Sequence, residues 1–263
     1  DDTVWNVFRT EVYRVIGKTP TEQPAETMAQ EVVNVLLQSL IDNSIDGLLL
    51  DVYYQWADST EKADVLKRYV ENYALPTDID PLKVHANHPF AELDRKVMKM
   101  LSEALKLQKD ATSIVAFIKA RTSSKKAKLF KPAWLNSVHT LSTFSIKGLN
   151  NVTDYSQMSE FYLQNFAKLD TAMRKIYVAW LNDEPTLRPL QEHYTQLNNE
   201  LLTKWYSIGC KYIPTQKDIV AKALAGTKRT AVVVCDGLRL EIAESSVDGN
   251  LGKNVKLTKN TAL

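Results

Sequence analysis

The chain has 263 residues, of which 44% are hydrophobic and 24% charged, so it can bury a sizeable core. Its 33 basic and 31 acidic residues leave a net charge of +2, which excludes a molecule-wide field that would attract nucleic acid or an anionic membrane. No run approaches the roughly 20 apolar residues of a spanning helix, and the first residues lack the pattern of a signal peptide. With only two cysteines, Cys210 and Cys235, this composition predicts a cytoplasmic protein without membrane contact.

Apolar residues recur at helical spacing through most of the first two hundred residues. Trp5, Phe8 and Val12 predict a first helix over residues 3–16, and Gly17 provides its stop. Glycine is scarce, with 8 residues, which also favours helices. The same periodicity predicts further helices over residues 25–41, 46–57, 60–74, 89–109, 111–120, 131–147, 155–182 and 187–210.

The pattern changes near the C-terminal end of the sequence. A short helix is expected to end around Gly226 and the basic pair Lys228 and Arg229, and the run "TAVVVC" that follows is apolar on both faces. Such a run is typical of a strand inside a parallel sheet, where helices cover both sides. After Asp236 and Gly237, "LRLEIAES" starts a helix, so the unit predicted here is strand, tight turn and helix.

These patterns divide the chain into three parts. Residues 1–212 are predicted to form a helical scaffold, with a sub-boundary near 122–130 or 148–154, and residues 213–230 a connector. Residues 231–263 would be the first strand-helix unit of an α/β domain that is incomplete in this chain, because they are too few to finish a sheet. The predicted fold class is therefore mainly α-helical, followed by the start of an α/β domain.

Asp236 is the residue of this unit with the clearest chemical meaning. In open α/β sheets, ligands bind at the carboxyl ends of the strands, and a carboxylate there suits a divalent metal ion next to a phosphate. Gly237 lets the backbone turn closely. The alternative is that Asp236 only caps the helix that follows it, which is a common role of aspartate.

The stretch "AVVVCDGLRLEIAES", residues 231–245, resembles the signature of PglZ-domain proteins, which belong to the alkaline phosphatase superfamily. Leu240 stands where that family usually has tyrosine or tryptophan. Three upstream helical segments resemble, in the same order, those of the family's bacteriophage-exclusion (BREX) members. They are "PFAELDRKVMKML", "FAKLDTAMRKIYVAW" and "LLTKWYSIGCKY".

The resemblance implies an alkaline-phosphatase-like fold for the second part, and metal-dependent phosphatase or nuclease-like chemistry in a BREX phage-defence system. It makes Asp236 the first-strand ligand of divalent zinc, manganese or magnesium ions. Gly237, Arg239 and Glu241 belong to the same motif, without an assigned catalytic role. Other BREX proteins are the implied partners, docked by the helical region.

The rest of such a site is expected outside this chain. No histidine follows Glu241, and no threonine after it has the context of the family's nucleophile, so the 263 residues alone are expected to be inactive. The alternative function is a noncatalytic interaction scaffold with a degenerate phosphatase-like domain.

Two other groups of residues could have either a functional or an ordinary structural role. His85 and His88 have HxxH spacing, but Pro81 and Pro89 bracket them, and a surface loop is the favoured interpretation over a metal site. A basic stretch without any acid could follow a DNA backbone, or could simply be a solvated surface. Its cations are Lys119, Arg121, Lys125, Lys126, Lys128 and Lys131.

Overall fold

A computed structural model describes residues 2–209, 216–226 and 229–231. The mainly helical organisation predicted for this part is confirmed: it forms eleven α-helices, and no strand occurs within the described residues. The helices are α1 (Asp2–Val15), α2 (Ala25–Ile41), α3 (Gly47–Ala57), α4 (Ala63–Asn72), α5 (Ala91–Lys106), α6 (Thr112–Ser123), α7 (Leu135–Thr143), α8 (Tyr155–Phe161), α9 (Ala167–Trp180), α10 (Glu184–Ile208) and α11 (Gln216–Leu224).

Three of these helices end in the same way, with one residue in the left-handed conformation. The residue after the C-cap is Gly17 for α1, Asn43 for α2 and Gln108 for α5, with φ of 67°, 51° and 52°. In each case the amide of the following residue bonds back across the last turn, which satisfies a carbonyl that the helix leaves free. These bonds run from Lys18 to Tyr13, from Ser44 to Ser39 and from Lys109 to Ala104, each with an N···O distance of 2.9 Å.

Two predicted helices differ in detail from the observed ones. The helix expected over 131–147 is reduced to α7, because the chain is extended at Phe144 and continues as a 3-10 helix, Ile146–Asn151. The helix expected over 155–182 is helical from Tyr155 to Trp180 but contains one π-helical segment, Tyr162–Phe166, between α8 and α9. The Tyr162 hydroxyl donates to Asp170 Oδ2 over 2.8 Å and so ties this segment to α9.

The buried side chains form two main clusters. The first is built by α2, α3 and α4, with Leu36, Tyr53 and Leu66 fully buried at its centre. The second is built by α5 to α10, where α7 packs against α9 and α5 against α10. Helix α5 belongs to both, since Leu93 lies in the first cluster and Val97 in the second.

The predicted connector contains α11, so the short helix expected before Gly226 is confirmed. Apart from Ile219, which is half-buried, the residues of α11 whose side chains are described are exposed. The predicted strand at 230–235 and the helix after it lie outside the described residues, apart from Thr230 and Ala231, which adopt no regular structure. None of the helices within the described ranges combines the length and the apolar composition that a membrane-spanning segment requires.

Candidate functional site

The residues predicted to form the metal site, Asp236, Gly237, Arg239 and Glu241, lie outside the described part of the chain. The same holds for Cys210 and Cys235. Their roles stay predictions from the sequence. The other predicted group, the six basic residues between 119 and 131, lies within the described part, and the structure separates its members by burial and bonding.

Arg121 does not contribute to a basic surface, because its side chain is fully buried in α6. Its guanidinium makes a bidentate ion pair with Asp94 of α5, with Nη2 at 2.7 Å from Oδ2 and Nε bonded to Oδ1. The remaining N–H groups donate to backbone carbonyls, from Nη1 to Ala86 at 2.8 Å and His88 at 3.0 Å, and from Nη2 to Phe130 at 3.3 Å. A cation buried with this set of partners has a structural role, and the prediction that Arg121 contacts nucleic acid is therefore wrong.

The loop before α5 is also buried, in contrast to the surface loop expected for "HANHP". Two of its carbonyls accept from Arg121, a third, that of Asn87, accepts from the Tyr53 hydroxyl, and the amide of His85 donates to Leu40 O over 2.9 Å. A loop can enter the interior only if its backbone polar groups find such partners. Arg121 and Tyr53 supply them here.

His88 is the most deeply buried residue of this loop, with no exposed surface. Its ring is stacked with those of Phe90 and Phe117, and Nδ1 accepts a hydrogen bond from the Phe90 amide over 3.2 Å. Burial first, and then the positive charge of Arg121, hold the pKa of His88 well below its ordinary value. The imidazole is therefore neutral and part of the packed interior.

The five lysines of the basic stretch fall into two groups. Lys126 lies 3.8 Å from Asp58 and 5.1 Å from the centre of the Tyr54 ring, and Lys131 donates to the Ser124 carbonyl over 2.8 Å. Burial, and then the charge of Arg121, lower the pKa of Lys131 to about 8. These two lysines are held by the protein. Lys119, Lys125 and Lys128 are exposed, as Lys126 is, but no ion pair to these three occurs within the described part of the chain.

A nucleic-acid surface on this stretch would therefore depend on these three lysines, with the exposed but ion-paired Lys126 beside them, rather than on six cations. Flexible exposed lysines suit phosphate contacts that do not depend on sequence. The described residues contain no group of three or more histidine, cysteine, aspartate or glutamate side chains that could hold a metal ion.

Sequence reasoning missed the Asp94–Arg121 pair, although the sequence carries a signal for it. Asp94 falls on the apolar face of α5, three and four residues before Val97 and Met98. Arg121 falls on the apolar face of α6, three and four residues after Ile118 and Phe117. A charge on an apolar helical face needs a buried partner, and two opposite charges of this kind can serve each other.

Comparison of the chain with protein-family models, with curated proteins and with solved structures finds no match in any of the three.

Proposed function

We propose that this chain is the helical region and first strand-helix unit of a PglZ-like, metal-dependent phosphohydrolase of a BREX phage-defence system. The observation that carries the proposal is the motif "AVVVCDGLRLE", which follows a helical body of the expected kind. In this proposal the helices present the hydrolase domain and dock other BREX proteins in the cytoplasm.

Asp236 is the residue on which the hydrolytic proposal depends. Its carboxylate would be one oxygen ligand of a divalent zinc, manganese or magnesium ion, and such an ion neutralises charge on the phosphoryl group during transfer. Gly237 would let the backbone pass close to the ion. Arg239 and Glu241 would support the turn and the N-terminus of the following helix.

DNA is proposed as a further partner of the helical body through Lys119, Lys125 and Lys128. Their exposure supports this contact, since each lysine can reach a phosphate without losing a protein partner. Lys126 is less suited because it already lies near Asp58 and over Tyr54.

The test uses the longest polypeptide that contains this sequence, because the family's other metal ligands come from later strands. Asp236→Asn should preserve folding, weaken Mn²⁺ binding in calorimetry by about tenfold or more, and abolish hydrolysis of bis-p-nitrophenyl phosphate. An uncharged amide loses most of the attraction between a carboxylate and a divalent ion.

The matched control is Asp51→Asn, because Asp51 is exposed on α3. It should leave Mn²⁺ affinity and hydrolysis unchanged. Mn²⁺ affinity and hydrolysis that are equal in the two variants would contradict the metal role and leave Asp236 as a helix cap. Absence of both properties in the unmodified polypeptide would favour the second candidate, a noncatalytic interaction scaffold. The large exposed apolar side chains of α9 and α10, among them Val178 and Tyr206, support that candidate.

A further inference from the structure

A pocket of about 470 Å³ lies between the end of α4, the start of α5 and the segment before α7. We call it the Lys131 pocket, after the half-buried lysine in its lining. Its volume is that of a site for a small molecule. The other charged residues of the lining are exposed, and they are Lys67, Glu71 and Glu92. Most of the lining is apolar and includes Val70, Tyr73, Leu75, Phe90, Leu129 and Pro132.

Two aromatic rings of this lining are held in place by the protein. The ring centres of Tyr73 and Phe90 lie 5.8 Å apart, with the planes at 38°. The Tyr73 hydroxyl donates to the side chain of Gln38 over 2.8 Å, and the Phe90 ring is stacked with the buried, neutral His88. A flat aromatic ligand can pack against such rings without having to order them.

Lys131 has an uncharged hydrogen-bond partner. Its amine donates to the Ser124 carbonyl over 2.8 Å, and no carboxylate lies within ion-pair distance of it among the described residues. The two acids whose charges act on it are bound elsewhere. Both oxygens of Asp94 are bonded to Arg121, and Asp58 accepts from a backbone amide over 2.6 Å. The amine can therefore leave its partner without breaking an ion pair.

The surroundings of Lys131 also favour the uncharged form of its amine. Burial and the positive charges of Arg121 and Lys128 lower its pKa, Asp58 and Asp94 oppose them, and the result is a pKa of about 8. At pH 8 about half of the Lys131 side chains are therefore free amines, against about 1% or less of an exposed lysine with an ordinary pKa. The free amine is the form that attacks a carbonyl carbon.

We infer that the Lys131 pocket binds an aromatic aldehyde and that Lys131 forms an imine with it. The aromatic body would pack against Tyr73 and Phe90. The amine nitrogen bonds to the carbonyl carbon, the C–O bond breaks, and the two protons of the amine leave with the oxygen as water. No oxidant or reductant is required. The apolar lining would limit the access of water that hydrolyses the imine. This reactivity does not depend on the proposed phosphohydrolase activity.

The test is a labelling experiment on the 263-residue chain with benzaldehyde at pH 8. Borohydride reduces each imine to a stable amine, and mass spectrometry of peptides measures the labelled fraction at each lysine. Lys131 should be labelled at least about tenfold faster than Lys125 or Lys128, which are exposed in the same stretch. Its labelling rate should also saturate as the aldehyde fills the pocket. Lys131→Arg should remove this label and leave the others unchanged.

A second variant changes the charge near Lys131 and leaves the pocket intact. Asp58→Asn keeps an oxygen for the amide of Ala127 but removes a negative charge that raises the pKa of Lys131. The pH profile of Lys131 labelling should therefore shift to lower pH. Asp51→Asn, at an exposed position of α3, is the matched control and should leave the profile unchanged.

A third variant fills part of the pocket. Leu129→Trp places a larger side chain in the lining and should slow the labelling of Lys131 by about fivefold or more. Leu107→Trp is the matched control, because Leu107 is 46% exposed and Leu129 is 49% exposed, and it should have no effect. Circular dichroism checks that both variants are folded.

A comparison of two aldehydes needs no variant. The α-amine at the N-terminus has an ordinary pKa near 8, so it shows the reactivity of such an amine without a pocket. The preference for benzaldehyde over propanal should be at least about fivefold greater at Lys131 than at the α-amine, because propanal has no ring to pack against Tyr73 and Phe90.

Three outcomes would overturn the inference. The first is that Lys131 is labelled no faster than Lys125. The second is equal labelling of Lys131 in folded Leu129→Trp and Leu107→Trp. The third is the same preference between the two aldehydes at Lys131 and at the α-amine, which would make Lys131 a reactive lysine without a binding pocket.

Discussion

Arg121 and Asp94 place a positive and a negative charge in the interior, where either would be costly without the other. Asp94→Ala should lower the free energy of unfolding by roughly 3–5 kcal/mol, because it leaves the guanidinium buried and uncompensated. Replacing both residues together, Asp94→Leu with Arg121→Met, should still cost about 2 kcal/mol or more, since Arg121 also serves three backbone carbonyls. Urea denaturation of the three proteins measures these differences.

The control for this experiment is an exposed pair. Arg188 Nε lies 3.2 Å from Glu184 on α10, with both side chains about two-thirds in solvent. Arg188→Met should change the free energy of unfolding by less than about 1 kcal/mol. If the double variant at 94 and 121 were as stable as the unmodified chain, the hydrogen bonds from Arg121 to the three backbone carbonyls would contribute nothing to the free energy of unfolding.

His88 makes stability depend on pH. Its pKa in the folded protein lies well below the value near 6.5 expected in the unfolded chain, so the unfolded state binds more protons below that pH. The free energy of unfolding should therefore fall as the pH decreases below about 6.5, by about 1.4 kcal/mol per pH unit from this residue alone. Burial lowers the pKa of the other three histidines as well, which makes the free energy of unfolding depend more steeply on pH.

The contribution of His88 can be isolated by replacing it with asparagine, whose Oδ1 can accept from the Phe90 amide as Nδ1 does. His88→Asn should reduce the pH dependence of the free energy of unfolding, by close to one proton below about pH 5.5 and by less towards pH 7. His139→Asn is the matched variant and should reduce it less, since His139 is only partly buried. Equal pH dependence in His88→Asn and the unmodified chain would mean that His88 takes up its proton in the folded protein as readily as in the unfolded chain.

At the scale of a helix, the end of α5 offers a simple test of backbone strain. Gln108 is exposed and holds a φ of 52°, a conformation that costs a residue with a side chain about 1 kcal/mol and costs glycine nothing comparable. Gln108→Gly should therefore raise the free energy of unfolding by up to about 1 kcal/mol, although the added freedom of the unfolded chain offsets part of it. Thermal denaturation measures the change.

The reverse substitution at the end of α1 is the natural comparison. Gly17 has the same conformation, with open space around the position of a Cβ atom, so Gly17→Ala adds strain without a clash. It should destabilise the protein by about 1 kcal/mol. If the two substitutions change the free energy of unfolding in opposite directions, the cause is the backbone conformation. A change in the same direction for both would mean that side-chain contacts, and not the backbone conformation, determine the effect.

Helix positions could be predicted from the sequence because the apolar stripes have a clear period. The details that failed depend on contacts distant in sequence. The shortening of the 131–147 helix leaves Phe144 extended, with its ring edge-on to Phe166 at 5.6 Å, and the π-helical segment contains Tyr162, which bonds Asp170. The buried loop at 85–90 depends on Arg121, more than thirty residues further along. Of the proposed binding residues, those of the basic stretch lie within the described part of the chain, and their role in DNA binding stays a proposal for the exposed lysines.

At the scale of the whole molecule, α11 is the described element with the least burial. Lys217 and Lys222 are exposed on it, so trypsin should cut here before it cuts α5 to α10. The N-terminal product should keep the helical circular dichroism signal and a cooperative thermal transition, because both clusters lie before residue 209. Mass spectrometry of a digestion time course identifies the first cut.

The two-part organisation would be wrong under either of two results. One is that the first cuts fall within α5 to α10 while the segment 213–230 stays intact. The other is that the fragment ending near residue 213 is unfolded. Exposed lysines of the basic stretch, such as Lys125, are the comparison sites for trypsin within the helical body. Cleavage there should be slower than in α11, because the neighbouring Ala127 and Phe130 pack into the first cluster.

The sharing of α5 between the two clusters has a consequence for how the molecule opens. Its first turn holds Leu93 in one cluster, and the next turns hold Val97, Met98 and Leu101 in the other. Neither half can lose its packing without exposing part of the same helix, so the two halves should melt as one cooperative unit. The amide hydrogens of α5 should then exchange with deuterated water only through global opening, more slowly than those of α1 or α11.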